Sequence, residues 1–188
     1  IIEMGMNSFG EISNLSKIVR PDICVITNIG YSHIGLLGSR KGIFKAKKEI
    51  FDYAKDDVIA YLNGDDDMLY TLKDKDINTI FYGIEKQNEI KVRNITNLGY
   101  QGTKSEIALN GKKIDIHIKK PGEHYIYAAM AAVALGEKFG LSQSQIQDGI
   151  LAFSPVGKRM EILECENITV INDVYNASVE SVKAAIDV

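Results

Sequence analysis

Three side chains with complementary chemistry lie in or just after predicted elements near the start of the chain. They are Glu3, His33 and Lys47. Glu3 closes an apolar run, His33 lies in the loop after a second apolar run, and Lys47 lies in the helical stretch that comes next. In open parallel α/β sheets, ligand sites form beyond the carboxyl ends of the strands, where these side chains can meet. A carboxylate and an imidazole are ligands for a divalent metal ion. A solvated glutamate and a surface histidine would show the same spacing, so both interpretations stay open.

A second group of polar side chains lies towards the C-terminus. Asn172, Asp173 and Asn176 follow a predicted strand and precede a helix. They could hold the polar groups of a ligand, although turns and helix caps use the same residue types. Lys158 and Arg159 could meet a phosphate, because a guanidinium presents a planar fork of donors. Two neighbouring basic residues are also common on protein surfaces that bind no phosphate, so this interpretation stays open as well.

The elements that must position the first group alternate between strands and helices. Strands are predicted by apolar runs, and helices by periodic apolar spacing. In chain order, these segments are a strand at 1–4, a helix at 11–19, a strand at 23–29, a helix from the N-cap Ser39 to about residue 55, and a strand at 58–62. This order predicts a parallel α/β sheet. Asp65, Asp66 and Asp67 lack the later ligands of a calcium loop, so they predict the capped start of a helix.

Short alternating runs replace this pattern after residue 78. They lie at residues 79–82, 90–97, 105–109 and 113–118. Asn110-Gly111 is a hairpin-turn dipeptide between the last two runs. We therefore predict a small antiparallel subsheet.

Two helices and a linker follow the alternating runs. An alanine-rich helix is predicted at residues 125–139, and a second helix from Ser142 to about residue 153. The segment Pro155-Val156-Gly157 is the best linker candidate. The strand, strand, helix pattern after it predicts the opening of a second α/β unit.

Composition and charge exclude several classes of protein. The 22 Lys and Arg residues against 25 Asp and Glu residues give a net charge of −3, without the basic excess typical of a duplex nucleic-acid binder. No apolar run approaches the roughly 18 residues that span a bilayer, and no signal peptide opens the sequence. Cys24 and Cys165 lie far apart in apolar runs, which predicts two buried, reduced thiols and favours the cytosol.

Both ends of the sequence interrupt a predicted element. The chain begins inside an apolar run without an initiator methionine and stops inside a helical pattern without a stop signal. We therefore expect a piece of a longer protein.

Short polar and glycine-bearing segments recur along the chain in a definite order. They are Glu3-Met4-Gly5-Met6-Asn7 with Gly10-Glu11-Ile12, Thr27-Asn28-Ile29-Gly30 with His33, Gly38-Ser39, Lys45-Ala46-Lys47 with Glu49-Ile50-Phe51, Asn63 with Asp65-Asp66, Pro121-Gly122 with His124, Pro155-Val156 with Arg159-Met160-Glu161, and Asp173 with Tyr175-Asn176-Ala177. Taken in this order, the segments resemble the Mur ligase family. The resemblance covers essentially the whole chain, and its specificity lies in the ordered set of motifs rather than in any one of them.

The resemblance implies the fold and the domain organisation. Residues 1–156 would form most of a central ATPase domain, an α/β domain with a mostly parallel sheet of the P-loop type. Residues 157–188 would begin a Rossmann-like C-terminal domain. The family's phosphate-binding loop would precede residue 1, since no Gly-x-x-x-x-Gly-Lys-Ser/Thr motif occurs in the chain. The chain alone is then expected to be inactive.

The resemblance also implies an ATP-dependent reaction that adds D-alanyl-D-alanine to UDP-N-acetylmuramoyl-tripeptide, through an acyl phosphate, in peptidoglycan precursor synthesis. The opening Glu-Met-Gly and the Tyr-Asn-Ala segment favour this family member over those that add alanine, glutamate or the third amino acid. The implied partners are these two small molecules, in the cytoplasm, without nucleic acid or a membrane span.

Individual roles follow from the resemblance in the same way. Glu3 and His33 match Mg²⁺ ligands, and Lys47 matches a lysine that carries CO₂ as a carbamate and supports a second Mg²⁺. His33 and Lys47 would therefore be the catalytic residues.

The resemblance places the nucleotide contacts in five further residues. They are Asn28, Arg159, Asp173, Tyr175 and Asn176. Closure of the C-terminal domain would bring its groups to the γ-phosphate.

The chain departs from the family pattern at four positions near the implied nucleotide site. Ala128 and Tyr125 stand where asparagine is common, Val174 where serine or threonine is usual, and Val179 where proline is usual. These departures put the adenine contacts in doubt more than the metal site. The alternatives are another Mur ligase, a folylpolyglutamate synthase-like ligase, or a non-catalytic paralogue.

Overall fold

A computed structural model describes residues 1–85, 88–155 and 157–188. The chain divides into two compact units, residues 1–89 and residues 90–188. Val156, the middle residue of the predicted linker, lies outside the described residues. No helix of the described residues is long and apolar enough to cross a membrane.

The first unit is a parallel sheet with helices. In chain order, its elements are α1 (Glu11–Val19), β1 (Ile23–Ile26), α2 (Ile34–Leu37), α3 (Arg40–Lys48), β2 (Ile59–Asn63), α4 (Asp67–Tyr70) and β3 (Asn78–Gly83). β1 pairs in parallel with β2, and β2 in parallel with β3, so their carboxyl ends lie at one edge. Ile26, Leu62 and Phe81 from the three strands pack with Ile43 of α3 in one buried core.

Three strand predictions need correction. Residues 1–4 form no strand among the described residues, and Ile1 and Ile2 are exposed, because an apolar run becomes a strand only where a neighbour accepts its hydrogen bonds. The strand predicted at residues 23–29 ends at Ile26, since the following peptide groups bond to side chains instead. Residues 79–82 belong to β3, which pairs in parallel with β2, because alternation along a strand does not specify the direction of its partner.

The helix predicted from Ser39 to about residue 55 is shorter than expected. Ser39 caps α3, and its side chain accepts from the Gly42 N–H. The α-helix ends at Lys48 and tightens into a 3₁₀ turn at Glu49–Phe51. This turn keeps Ile50 and Phe51 packed against the core.

The second unit begins with antiparallel strands covered by helices. In chain order, its elements are β4 (Ile90–Asn97), β5 (Thr103–Leu109), β6 (Lys112–Ile118), α5 (His124–Lys138), α6 (Gln143–Leu151), β7 (Glu161–Cys165), β8 (Ile168–Asn172) and α7 (Val179–Ile186). β4, β5 and β6 pair antiparallel, which confirms the predicted subsheet for these three runs. Asn110 and Gly111 both have positive φ, 50° and 77°, as a hairpin turn of this type requires.

Capping boxes begin two helices of this unit, and the one at Ser142 lies where the sequence predicted a helix start. Ser142 and Gln145 form a capping box at the start of α6, and Ser178 and Ser181 form another at the start of α7. β7 and β8 form a separate antiparallel pair before α7. Cys165 at the end of β7 is exposed, contrary to the prediction, because the described residues leave much of this two-stranded sheet uncovered. The predicted α/β class, a parallel sheet with an antiparallel subsheet, is confirmed.

Candidate active site

Lys47 and Asn28 meet beyond the carboxyl end of β1. The Lys47 Nζ donates a hydrogen bond to the Asn28 carbonyl oxygen at 2.7 Å. Lys47 lies in the last turn of α3, which buries Ile43 and Ala46 and so keeps the half-buried lysine beside the β1 loop. The structure therefore brings together two of the predicted site residues.

The loop after β1 is also fixed from the side of β2. The Ile29 N–H donates to Asp66 Oδ2 at 2.7 Å, while Asp66 Oδ1 accepts from Met68 and Leu69 at the start of α4. Ile29 itself is buried in the core. The predicted helix-start role of the acidic run is thus confirmed for Asp66. The hydrogen bond between Asp66 and Ile29 was not predicted, because no pattern in the sequence indicates it.

Arg40 ties the same loop to α4 from a third direction. Its Nε donates to the Ile29 carbonyl oxygen at 2.9 Å, and its guanidinium contacts Asp67 at 2.6 Å. The hydrogen bond from Arg40 lowers the pKa of Asp67, and the same bond raises the pKa of Arg40. Sequence analysis did not single out Arg40, although its place one residue after a helix N-cap is visible in the sequence.

Asp65 likewise holds backbone N–H groups, in this case those that follow the end of β3. Its Oδ2 accepts from the Ile84 N–H at 2.5 Å and from the Glu85 N–H at 3.1 Å. Nearby, Tyr82 is fully buried, and burial, reinforced by the negative charge of Asp66, raises the pKa of its hydroxyl. The carboxyl edge of the sheet is therefore built by three consecutive aspartates with different partners.

Glu3 and His33 are both exposed at the surface of the first unit. His33 adopts a left-handed conformation, φ 65°, directly before α2. Within the described part of the chain, neither side chain has a hydrogen bond or an ion pair. No group of three or more His, Cys, Asp or Glu side chains in that part forms a ready metal centre. Contact of these residues with Lys47 through a metal stays a prediction.

Three of the residues predicted to contact the nucleotide come together in the second unit. The Arg159 guanidinium stacks over the Tyr175 ring, 4.1 Å from its centroid. The Tyr175 N–H donates to the Lys158 carbonyl at 3.2 Å, and the Met160 N–H donates to Asp173 Oδ1 at 3.1 Å. Arg159 and Tyr175 are both exposed among the described residues.

Asn176 is placed differently from the other predicted nucleotide residues. Its side-chain oxygen accepts from the N–H of Ala177 at 2.9 Å, next to the start of α7. This contact is the local turn chemistry that sequence analysis kept as the alternative. A ligand role for Asn176 stays a prediction.

His124 and Tyr125 lie beside this cluster at the start of α5. Their ring centroids lie 4.2 Å apart, and the two rings are tilted by 39°. Partial burial lowers the pKa of His124, although the charge of Asp173 acts in the opposite direction. Burial also raises the pKa of Tyr125, and Asp173 adds to this effect while Arg159 opposes it. The charge of Asp173 therefore acts on both His124 and Tyr125, and the charge of Arg159 acts on Tyr125.

Ala128 and Tyr125, two of the positions that depart from the family pattern, line a cavity of about 360 Å³ between α5 and α6. Phe153 contributes a further aromatic ring, 5.9 Å from that of Tyr125, and Gly149 contributes open space. The walls are almost entirely apolar. An amide that could hydrogen-bond a ligand is absent at position 128, and the space beside it is suited to apolar contact.

Comparison with known proteins identifies a common family. A family model described as the Mur ligase middle domain matches residues 1–136. The UDP-N-acetylmuramoyl-tripeptide--D-alanyl-D-alanine ligase of Bacillus subtilis is 36% identical over 99% of this chain and 40% of its own length. The ligase of the same name from Treponema pallidum is 30% identical over 99% of this chain and 39% of its own length.

Solved structures show the same relationship. A crystal structure of MurF from Acinetobacter baumannii superposes with a TM-score of 0.91 at 29% identity, covering 99% of this chain and 41% of that one. The chain thus spans about 40% of the length of the curated relatives it matches.

Proposed function

This chain belongs to the Mur ligase family, and from that premise we propose that it is the central part of an ATP-dependent ligase that adds D-alanyl-D-alanine to UDP-N-acetylmuramoyl-tripeptide. The observation that carries the proposal is the Lys47 amine, held 2.7 Å from the Asn28 carbonyl beyond the carboxyl end of β1. Parallel α/β sheets bind their ligands at that edge. The names of relatives that match nearly the whole chain support the choice of substrates.

The proposed reaction has two steps. The terminal carboxylate of the UDP-linked tripeptide attacks the γ-phosphorus of ATP, which releases ADP and leaves an acyl phosphate. The amine of D-alanyl-D-alanine then attacks the acyl carbon, an amide forms, and phosphate and a proton leave. Such phosphoryl transfer depends on positioning and charge neutralisation more than on covalent help from the protein.

We assign Glu3, His33 and Lys47 to the metal site of this reaction. The donor set fits, because a carboxylate and an imidazole lie exposed and a lysine that has taken up CO₂ presents carbamate oxygens. Bound Mg²⁺ would supply neutralisation of the phosphate charge. Carbamate formation requires the neutral amine of Lys47, which the Asn28 carbonyl holds in one orientation.

We assign the nucleotide contacts to Asn28 in the first unit and to Arg159, Asp173, Tyr175 and Asn176 in the second. The stack of Arg159 on Tyr175 supports this assignment, since it holds a guanidinium at an exposed face where a phosphate can reach its donors. Because ATP and a UDP-linked precursor are the substrates, we place the reaction in the cytoplasm.

For the domain organisation, we propose that residues 1–156 belong to the central domain without its phosphate-binding loop and that residues 157–188 begin the C-terminal domain. The family model ends at residue 136, inside α5, which supports a boundary beyond that helix. A chain without the phosphate-binding loop should not turn over by itself.

Phosphate release from the full-length protein tests the proposed function. UDP-N-acetylmuramoyl-tripeptide, ATP and Mg²⁺ are supplied with and without D-alanyl-D-alanine. We expect release that depends on the dipeptide, is lost in Lys47→Ala, and is partly restored to that variant by short carboxylic acids that replace the carbamate. Lys41→Ala, which changes an exposed lysine of the same helix, should retain activity.

The same assay separates the alternatives. Release that depends on a single amino acid would assign the protein to another Mur ligase, and release with a folate substrate would assign it to a folylpolyglutamate synthase-like enzyme. A folded protein without release in any of these assays would be a non-catalytic paralogue. Each of these results would overturn the proposed function.

A further inference from the structure

The peptide group between Asn28 and Ile29 is held on both of its polar atoms by side chains from different elements. Lys47 of α3 donates to its carbonyl oxygen at 2.7 Å. Asp66, directly before α4, accepts from its N–H at 2.7 Å. Because a peptide group is planar and nearly rigid, a side chain that holds the N–H also sets the direction of the carbonyl.

Asp66 is itself immobilised. Its side chain is only 8% exposed. Oδ2 accepts from Ile29, while Oδ1 accepts from the N–H groups of Met68 and Leu69, each at 2.9 Å. Rotation of this carboxylate would break charge-assisted hydrogen bonds, which are the stronger kind. The start of α4 is therefore a rigid support for the loop after β1.

We propose that Asp66 is a positioning residue for the Lys47 amine. By holding the Ile29 N–H, Asp66 orients the Asn28 carbonyl to which that amine donates. That Asp66 orients the Asn28 carbonyl, and through it the Lys47 amine, is argued from the described contacts alone. The effect of this orientation on turnover rests on the proposed function. Arg40 supports the arrangement at the next peptide group, because its Nε donates to the Ile29 carbonyl oxygen.

Asp66→Asn in the full-length protein is the variant that tests this role. Asparagine is a good N-cap, so its single side-chain oxygen can still serve α4, but its amide nitrogen cannot accept from Ile29. Asp67→Asn is the matched control. It removes the same charge one residue away, at a side chain that is 67% exposed and pairs with Arg40 instead of with the Asn28–Ile29 peptide.

Competitive acetylation in CO₂-free buffer, followed by peptide mass spectrometry, measures how firmly the amine is held. In the wild type, Lys47 should react about tenfold more slowly than the exposed Lys41, because a hydrogen-bonded amine is less available. Asp66→Asn should raise the Lys47 rate by about three- to fivefold, and Asp67→Asn by less than about twofold, since only the first change releases a hydrogen-bonded peptide group. Equal Lys47 rates in the wild type and in Asp66→Asn would overturn the proposal, as would an equal effect of Asp67→Asn.

Turnover gives a second, separable readout. Asp66→Asn should lower kcat by about tenfold and leave KM for ATP within about twofold, because Asp66 positions a catalytic group without binding substrate. A lower melting temperature with unchanged Lys47 acetylation would assign Asp66 to helix capping alone and overturn the proposal. If the wild-type protein shows no dipeptide-dependent turnover, the proposed function fails, while the acetylation rates still decide the role of Asp66.

Discussion

Burial gives the two cysteines of this chain different chemistry. Cys24 lies on β1 and is 1% exposed. Burial raises the pKa of its thiol to about 12, so little of the reactive thiolate exists near neutral pH. Cys165 lies at the end of β7 and is exposed. The two thiols therefore differ in access, and burial keeps the Cys24 thiol in its neutral form.

Alkylation of the 188-residue chain at about pH 8 should distinguish the thiols. We expect labelling of Cys165 and at least about a hundredfold slower labelling of Cys24, because its thiolate is disfavoured and its side chain is covered. The single variants Cys24→Ser and Cys165→Ser, followed by mass spectrometry, identify the modified residue. In denaturant both thiols should react, and fast labelling of Cys24 in the folded chain would contradict its place in the core.

One carboxylate joins two helices of the first unit. Glu49, just after α3, accepts from the N–H of Gly10 with both oxygens at 2.9 Å and from the N–H of Ser13 at 3.3 Å. These donors belong to the first turn of α1, which has no side-chain cap of its own. A negative charge there also interacts favourably with the helix dipole. The contact ties α1 to the helix that carries Lys47.

Glu49→Gln should weaken this connection. We expect the free energy of unfolding to fall by about 1–2 kcal/mol, since a charge-assisted bond to two backbone donors is replaced by a weaker neutral one. Asp52→Asn is the control, an exposed carboxylate three residues further on, and it should change stability by less than about 0.5 kcal/mol. Urea denaturation of the two variants checks the difference, and equal values would show that the link between the helices is not a stabilising one.

At the scale of the whole chain, the division into two compact units does not coincide with the end of the family model. The compact units divide between residues 89 and 90, whereas the family model extends to residue 136. The proposed domain boundary lies further on, at residues 156 and 157. There Gly157, Lys158 and Met160 all adopt positive φ, which two of them can do only at some cost in strain.

Limited trypsin digestion of the full-length protein tests that boundary. Lys158 and Arg159 are exposed in an irregular segment between α6 and β7, so the earliest cut should fall after one of them. Lys158→Gln combined with Arg159→Gln should remove this early cut and leave later ones unchanged. An earliest cut between residues 84 and 91 would instead place the domain boundary at the division between the two compact units.

Local signals in the sequence predicted a large part of this structure. Ser39 and Ser142 cap helices as expected, and Asn110-Gly111 turns a hairpin, because each of these features depends on a few neighbouring residues. The strand predicted at residues 1–4 was wrong, since strand formation depends on a partner elsewhere in the chain. The parallel direction of β3 was missed for the same reason.

The sequence by itself determined the α/β class, most element positions, the family resemblance and the types of side chain available for chemistry, because periodicity and motifs are properties of chain order. The tertiary structure alone decided which of those side chains meet. Ile29 and Asp66 are 37 residues apart, and Gly10 and Glu49 are 39 apart. Contacts over such separations depend on how parallel strands and their helices pack, and no local pattern encodes that packing.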